Sequence, residues 1–254
     1  MRIFAISDVH IDFEENRQWL YSLSQSRFKN DILVLAGDIS DKISLLARAF
    51  ELLKQCFSEV LYVPGNHDLW VRHDKTDSLG KFHRIKTLAN NTGIRMEPFH
   101  SGPLSVIPLF GWYDYSFGLP SNKLSSMWRD YFVCKWPGGF DEDKITHHFT
   151  SMNEACLTVK NQTIISFSHF LPRIDLMPIY IPAKKRMIYP VLGSERLEAQ
   201  IRRLGSHIHI YGHSHVNRRI SKDHTTYINN AYGYPYETMI ASKKMRCVFE
   251  QNNS

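Results

Sequence analysis

An amide, an imidazole and a carboxylate follow one another where a short apolar run of this sequence stops. Residues 60–63 have the composition of a buried strand, and a Pro-Gly pair ends the run abruptly. Asn66, His67 and Asp68 come directly after that pair. Turns favour Asn and Asp in any protein, so this stretch alone is weak evidence of function. Its significance comes from four other apolar runs that end in the same manner.

Carboxylate and imidazole side chains also follow these other runs. They are Asp8 and His10 after residues 2–6, Asp38 after residues 32–36, His169 after residues 163–167, and His213 and His215 after residues 208–211. Any one of them alone is more often a cap, a turn residue or a histidine held by ordinary hydrogen bonds, but their joint occurrence is hard to attribute to chance. Because the carboxyl ends of parallel strands line the ligand crevice of an open α/β sheet, we expect these side chains to converge.

The chemistry of this set points to metal ions. Oxygen and imidazole ligands without thiolate suit divalent manganese, iron or zinc. The set is too large for one ion and about large enough for two if one carboxylate bridges them. The sequence therefore predicts a centre for two divalent ions, with manganese preferred and iron or zinc as alternatives.

The elements that must position these residues alternate along the chain. Helical spacing predicts helices over residues 15–24, 79–91, 143–160 and 194–204. It also predicts a helix that begins after a cap at Ser40 or Asp41. Residues 104–110 predict a further strand, and residues 225–228 and 246–249 predict the closing strands. Such alternation favours right-handed βαβ units and a largely parallel sheet at the N-terminal end.

Two segments lack clear periodicity. Residues 111–141 are rich in Trp, Tyr and Phe among Gly and Pro, so they either pack as a satellite core or form a wall over the site. Residues 171–192 carry four prolines and predict a long excursion without regular structure, which often serves a site. No linker divides the chain. We therefore predict a single domain over residues 1–254 with an aromatic-rich insertion at about 111–141.

Composition excludes several classes of protein. With 254 residues and 43% hydrophobic content, the chain can bury a substantial core, and no apolar run approaches the roughly 20 residues of a membrane span. Scattered cysteines and a strand-like N-terminus predict a cytoplasmic protein without structural disulfides. The net charge of +6 suits anionic substrates. Nucleic acid is possible but not favoured, because the basic residues form no stripe.

The order D-x-H, G-D, G-N-H-D, S-H and G-H-x-H resembles that of the calcineurin-like metallophosphoesterases. The motifs extend from Asp8 to His215 and so cover most of the chain. The resemblance implies an α/β fold, a four-layer α/β/β/α sandwich of two mixed sheets flanked by helices. It also implies two metal ions at one edge of the sheets.

The resemblance further implies a role for each residue. The first metal would be held by Asp8, His10, Asp38 and His215, and the second by the bridging Asp38 with Asn66, His169 and His213. His67 would match the proton donor to the leaving group. In the phosphoprotein phosphatase branch an acidic residue three positions after the bridging aspartate orients that histidine, and Asp41 stands there. The arginine that follows in that branch is replaced by Lys42, which disfavours assignment to it.

The predicted function is that of a dinuclear metal-dependent phosphoesterase. Two cations about 3.5–4 Å apart create a bridging hydroxide near neutral pH, and they neutralise the phosphoryl oxygens during in-line attack. His67 can then protonate the leaving alkoxide. Arg173 and Arg218, which follow the histidine motifs, could clamp a phosphate, although a solvated surface position explains either arginine equally well. Trp128 is a candidate substrate contact in the aromatic segment.

The predicted substrate is a small phosphorylated compound, a phosphate mono- or diester. The alternative is a catalytically inactive scaffold or protein-binding module with the same fold. Such relatives have typically lost metal ligands, whereas every ligand position is filled here.

Overall fold

In the computed structural model, which describes residues 1–72 and 75–251, ten strands form two mixed sheets flanked by helices. The strands are β1 (Arg2–Ile6), β2 (Ile32–Leu35), β3 (Glu59–Tyr62), β4 (Phe99–Ser101), β5 (Leu104–Pro108), β6 (Thr163–Phe167), β7 (Ile208–Tyr211), β8 (Arg218–Lys222), β9 (Thr225–Asn229) and β10 (Arg246–Glu250). The helices are α1 (Glu14–Tyr21), α2 (Ile43–Cys56), α3 (Ser78–Thr92), α4 (Asn122–Met127), α5 (Asp130–Val133), α6 (Glu142–Ser151) and α7 (Glu195–Leu204). This is the predicted sandwich of two mixed sheets with helices outside them.

Each sheet is built around a set of parallel strands. The first sheet has the order β10-β1-β2-β3, with β1, β2 and β3 parallel and β10 antiparallel at one edge. The second has the order β4-β5-β6-β7-β9-β8, in which the four central strands are parallel and β4 and β8 are antiparallel edges. The strands predicted to carry site residues at their carboxyl ends are therefore all parallel strands.

Apolar burial explains why these segments form the layers. All residues of β2 are buried, as are Leu46, Ala49, Phe50 and Leu53 on one face of α2. A strand covered on both faces reads as a continuous apolar run, which is the pattern that residues 32–36 show. The spacing of the α2 residues is that of one helical face, so this helix covers the sheet with a single stripe.

Some helices begin or end at residues that cap a helix terminus. Ser194 accepts a hydrogen bond from Arg196 N at the start of α7, and Gly93 closes α3 in the left-handed conformation at φ 72°. The cap predicted at Ser40 or Asp41 is not present, because Lys42 holds the cap position of α2 without a side-chain bond.

Several predicted bounds differ from the structure. The helix predicted to reach residue 160 ends at Ser151, and a separate 3₁₀ turn follows at Glu154–Cys156. The short edge strands β4 and β8 were not predicted. The excursion after residue 171 contains two 3₁₀ helices, Ile174–Leu176 and Ala183–Val191, and the aromatic segment contains α4 and α5.

Two further predictions concern cysteines and membrane spans. Cys56, Cys134, Cys156 and Cys247 are all in the described part of the chain, and all four are free thiols. Within residues 1–72 and 75–251, none of the helices combines the length and the apolar content that crossing a bilayer requires.

Candidate metal centre

Most of the predicted ligand residues leave their strands in a left-handed backbone conformation. This conformation reverses the chain sharply, and non-glycine residues seldom adopt it outside functional sites, where the surrounding structure enforces it. The residues and their φ angles are Asp8 at 54°, His10 at 45°, Asp38 at 57°, His213 at 64° and His215 at 54°. The unusual backbone therefore occurs at the strand ends where ligands were predicted.

Two glycines allow the loops to approach the ligands. A Cβ atom on Gly65 would lie 2.1 Å from Asp38 Oδ1, and one on Gly37, at φ 84°, would lie 2.6 Å from His169 Nδ1. Both distances are far below a normal contact, so a larger residue at either position would push a ligand out of place. Steric fit thus explains why glycine stands before Asp38 and before Asn66.

Four acceptor atoms converge at one part of the site. His169 Nδ1 is 2.9 Å from Ala36 O, and His213 Nε2 is 3.0 Å from Val191 O. Because a carbonyl only accepts, each of these nitrogens carries the hydrogen, and the other nitrogen of each ring keeps its lone pair. His169 Nε2 then lies 3.1 Å from His213 Nδ1, 3.2 Å from Asn66 Oδ1 and 3.5 Å from Asp38 Oδ2.

The two histidine nitrogens and the amide oxygen of this cluster have no hydrogen to share. Burial and the neighbouring His169 lower the pKa of His213 to about 3, and burial also lowers the pKa of His169, so both rings are neutral. Lone pairs that face one another at hydrogen-bond distance repel unless a cation lies between them. The donor set therefore fits a divalent ion bound by two imidazoles, one amide oxygen and one carboxylate.

A second group forms around Asp8. His215 Nε2 is 3.2 Å from Asp8 Oδ1 and 3.2 Å from His10 Nε2. Burial by itself would lower the pKa of His215, but the charges of Asp8 and Glu237 raise it to about 9. The pocket thus stabilises a positive charge between two carboxylates. A metal ion would supply that charge in place of a proton on His215.

Asp38 lies between the two groups. Its carboxylate is within 4.8 Å of the ligand atoms of His169 and His213, and likewise of those of His10 and His67. Burial and the nearby charges of Asp68 and Asp8 raise the pKa of Asp38 well above its usual range. Cations on both sides would offset the cost of a buried negative charge on Asp38, so its position and surroundings fit a bridging ligand.

His67 lies at the open side of this arrangement. Its ring stacks on Trp70 at 3.7 Å, and its Nε2 is 3.5 Å from Tyr234 Oη and 3.8 Å from Asp38 Oδ2. Burial and the neighbouring histidines, His10 first, lower the pKa of His67 well below its usual value. It is therefore placed either to face a substrate or to serve as an additional ligand.

The structure does not bring Asp41 to His67. Asp41 Oδ2 lies 2.6 Å from Arg72 Nε, and among the described residues no hydrogen bond joins its carboxylate to His67. Arg72 in turn lies 5.1 Å from the centre of the Trp70 ring on which His67 stacks. Arg72 and Trp70 thus connect Asp41 to the imidazole indirectly.

Of the predicted substrate contacts, Trp128 lies beside the predicted ligand His213, and the arginines are engaged elsewhere. The Trp128 ring meets that of His213 edge-on at 5.9 Å. Arg173 pairs with three carboxylates, those of Asp175, Glu198 and Asp223. Arg218 donates to Leu176 O at 2.8 Å. Neither arginine is oriented as a phosphate clamp in this structure.

Three buried or half-buried carboxylates that support the predicted ligands were given no role by the sequence analysis. Asp68 accepts from Asp38 N, Ile39 N, Ser40 N, Gly65 N and Tyr62 Oη, at 2.8–3.0 Å. Glu237 Oε2 lies 2.5 Å from His215 Nδ1. Asp130 lies 2.9 Å from Asn66 Nδ2. Asp68 could have been found as the last residue of the G-N-H-D motif, whereas Glu237 and Asp130 stand in segments without any periodic signal.

Comparison with known proteins agrees with this geometry. The sequence model of the calcineurin-like phosphoesterase family matches residues 1–217. The chain is 25% identical, over an alignment 264 positions long, to the [acyl-carrier-protein] phosphodiesterase PptH of Mycobacterium tuberculosis, covering 92% of this chain and 78% of that protein. The crystal structure of phosphopantetheinyl hydrolase (PptH) from the same organism superimposes with a TM-score of 0.79 at 20% identity, covering 98% of this chain and 96% of the other. The chain therefore belongs to the calcineurin-like phosphoesterase family, and it is a metal-dependent phosphoesterase.

Proposed function

We propose that this phosphoesterase is a phosphodiesterase that uses two divalent cations, manganese foremost, and removes a phosphopantetheinyl group from a carrier protein. The convergence of lone pairs around His169 Nε2 is the observation that carries the cation-dependent part. The ligands in the proposal are Asp8, His10, Asp38 and His215 for one cation and Asp38, Asn66, His169 and His213 for the other. Oxygen and imidazole donors without thiolate support manganese, and the four free thiols support a cytoplasmic location.

When bound, the cations would supply Lewis acidity toward the phosphoryl oxygens and lower the pKa of a water. The protein residues fix the geometry in which this happens. Ala36 O and Val191 O hold His169 and His213 in the tautomers that present a lone pair. His67 would give a proton to the leaving oxygen, and because burial lowers its pKa, it needs the negative charge of a bound phosphate to hold that proton.

PptH, whose name specifies an acyl carrier protein, supports a substrate in which the phosphodiester is attached to a protein. In the proposed reaction, water adds to phosphorus, and the P–O bond to the carrier oxygen breaks. The products are a hydroxyl group on the carrier and a phosphopantetheine monoester. A small phosphate ester, the substrate predicted from the sequence, is the simpler alternative that the same centre could hydrolyse.

Exposed apolar side chains support a macromolecular substrate as well. Eight large hydrophobic residues are exposed in the three segments that also supply Asp130, Val191 and Glu237 to the site. They are Leu119, Met127, Phe132, Ile179, Tyr180, Tyr236, Met239 and Ile240. Where exposed apolar residues adjoin one another they mark binding surfaces, and each of these three segments also reaches the site.

The test is an assay with Mn²⁺ and three substrates. These are a phosphopantetheinylated carrier protein followed by intact mass spectrometry, an aryl phosphodiester and an aryl phosphomonoester. We expect loss of the phosphopantetheinyl mass from the carrier, slower hydrolysis of the aryl diester, and none of these reactions with the Asp38→Asn control. Preference for the monoester would contradict a phosphodiesterase, and an intact carrier beside rapid aryl diester hydrolysis would contradict only the protein substrate.

A further inference from the structure

The carboxylate of Asp130 lies at the centre of a buried cluster of hydrogen-bond donors. Its Oδ1 accepts from Asn66 Nδ2 at 2.9 Å and from Trp70 Nε1 at 2.6 Å. Its Oδ2 accepts from Trp128 Nε1 at 2.9 Å and from Tyr113 Oη at 3.2 Å. The residue is 2% exposed, and none of the ion pairs within residues 1–72 and 75–251 includes it. A buried carboxylate satisfied only by neutral donors is costly, which calls for a function.

The bond to Asn66 determines which end of that amide faces the cation cluster. An amide can present either oxygen or nitrogen, and only the oxygen binds a metal ion. Each oxygen of Asp130 already accepts from an indole N–H, so the carboxylate faces Asn66 as an acceptor and receives its nitrogen. The oxygen is thereby turned toward His169 Nε2, which it approaches at 3.2 Å.

The same carboxylate also orders the side chains next to the centre. Trp70, held by Oδ1, is the ring on which His67 stacks. Trp128, held by Oδ2, is the ring whose edge faces His213. Asp130 stands in α5 within the aromatic segment, so one residue of that segment bonds to the two rings that contact His67 and His213.

We propose that Asp130 is a positioning residue that holds the Asn66 amide in the metal-binding orientation, so that the aromatic segment completes the cation centre. This inference rests on the proposed role of Asn66 as a ligand. It assigns the segment at residues 111–141 a function beyond packing or substrate contact, because the segment determines how tightly one of the two cations binds.

The test measures Mn²⁺ binding to the purified chain by titration calorimetry, without any substrate. Asp130→Asn removes the obligatory acceptor and lets the Asn66 amide turn. Loss of such an outer partner typically weakens metal binding about 10- to 100-fold, and we expect this loss for one of the two cations only. Tyr113→Phe is the matched control, since it removes a donor to Oδ2 and leaves the Asn66 contact unchanged.

A second substitution separates positioning from a general structural role. Asn66→Asp presents an oxygen whichever way the side chain turns, so the double variant with Asp130→Asn should recover binding of the weakened cation. A merely destabilised fold would not recover in this way. Should Asp130→Asn fail to fold, Asp130→Glu, which keeps the charge but moves the carboxylate by one methylene, is expected to weaken the same cation.

Wild-type affinity for both cations in a folded Asp130 variant would overturn the proposal, as would a loss that Asn66→Asp does not restore. An equal loss in Tyr113→Phe would also overturn it. These outcomes are distinct from failure of the proposed reaction: a chain that binds two Mn²⁺ ions and leaves the carrier intact would contradict the substrate without affecting Asp130.

Discussion

Glu237 Oε2 lies 2.5 Å from His215 Nδ1 and also accepts from Tyr234 N at 2.8 Å, so a loop far from the ligand motifs fixes the tautomer of a proposed ligand. A carboxylate behind a metal-bound histidine orients the ring and raises its basicity. We expect Glu237→Gln to lower kcat/KM about 10-fold or more, with weaker Mn²⁺ binding. Glu51→Gln, a change at an exposed helical position, is the control. Unchanged affinity and activity in Glu237→Gln would show that this contact is incidental.

The second prediction concerns the bridge. Asp38 is the carboxylate within reach of both histidine groups, so Asp38→Asn should lower the bound metal and nearly abolish turnover. Metal content by elemental analysis and turnover of an aryl diester are the two measurements. Near-normal activity with two metals still bound would refute the bridging role.

The third prediction concerns stability. Asp68 accepts four backbone N–H groups and the hydroxyl of Tyr62. Hydrogen bonds to a charged group are worth about 1.5–3 kcal/mol each, and an amide nitrogen in its place would face donors, so Asp68→Asn should lower the free energy of unfolding by about 3 kcal/mol or more. Urea denaturation measures this loss.

The same substitution elsewhere gives the control for Asp68. Asp77 caps α3 by accepting one bond from Gly80 N at 2.7 Å, and Asn is as good a cap, so Asp77→Asn should be nearly neutral. Equal losses in both variants would mean that the Asp68 network contributes no more than a single cap.

The predicted strands agree with the structure, and the predicted ligand residues converge in it, because the signals for both are local. A buried parallel strand requires a continuous apolar run, and the run must end where the chain turns into the crevice. Residues 32–35, followed by Gly37 and Asp38, show both features. β4 and β8 were not predicted because edge strands such as Arg218–Lys222 alternate half-buried and exposed residues and need no apolar run.

Supporting residues could not be found in the same way. Asp130 and Glu237 act through tertiary contacts that bring them to residues 64 and 22 positions away. Proximity in the sequence also misled the interpretation of Arg173. It is near His169 in the chain, yet its guanidinium pairs with carboxylates of other segments. Its bonds to Asp175 and Asp223 raise the pKa of Arg173. The single-domain organisation stays a prediction.

The fourth prediction concerns Trp128. If its ring contacts the substrate, Trp128→Ala should raise KM for the carrier protein about 10-fold, equivalent to roughly 1.4 kcal/mol of lost contact, with a smaller change for a small aryl phosphodiester. Trp128→Phe keeps a ring but loses the bond to Asp130, so it distinguishes contact from positioning. A uniform loss of activity with a lower Tm would instead support a packing role, like that of the buried Trp112.

The last prediction separates His67 from the ligands beside it. Losing a ligand removes the cation and should affect every substrate, whereas losing a general acid costs about 10²–10⁴-fold and depends on how much the leaving group needs a proton. His67→Ala should therefore keep both metals and fail on alkyl esters, with a much smaller loss on a nitrophenyl ester, whose phenolate leaves unaided. Asp41→Asn is the informative companion, because Asp41 bonds to Arg72 and should show no dependence on the leaving group. A missing metal in His67→Ala would identify His67 as a ligand, which its position between His10 and Asp38 also permits. Equal losses on both esters with two metals bound would exclude proton donation.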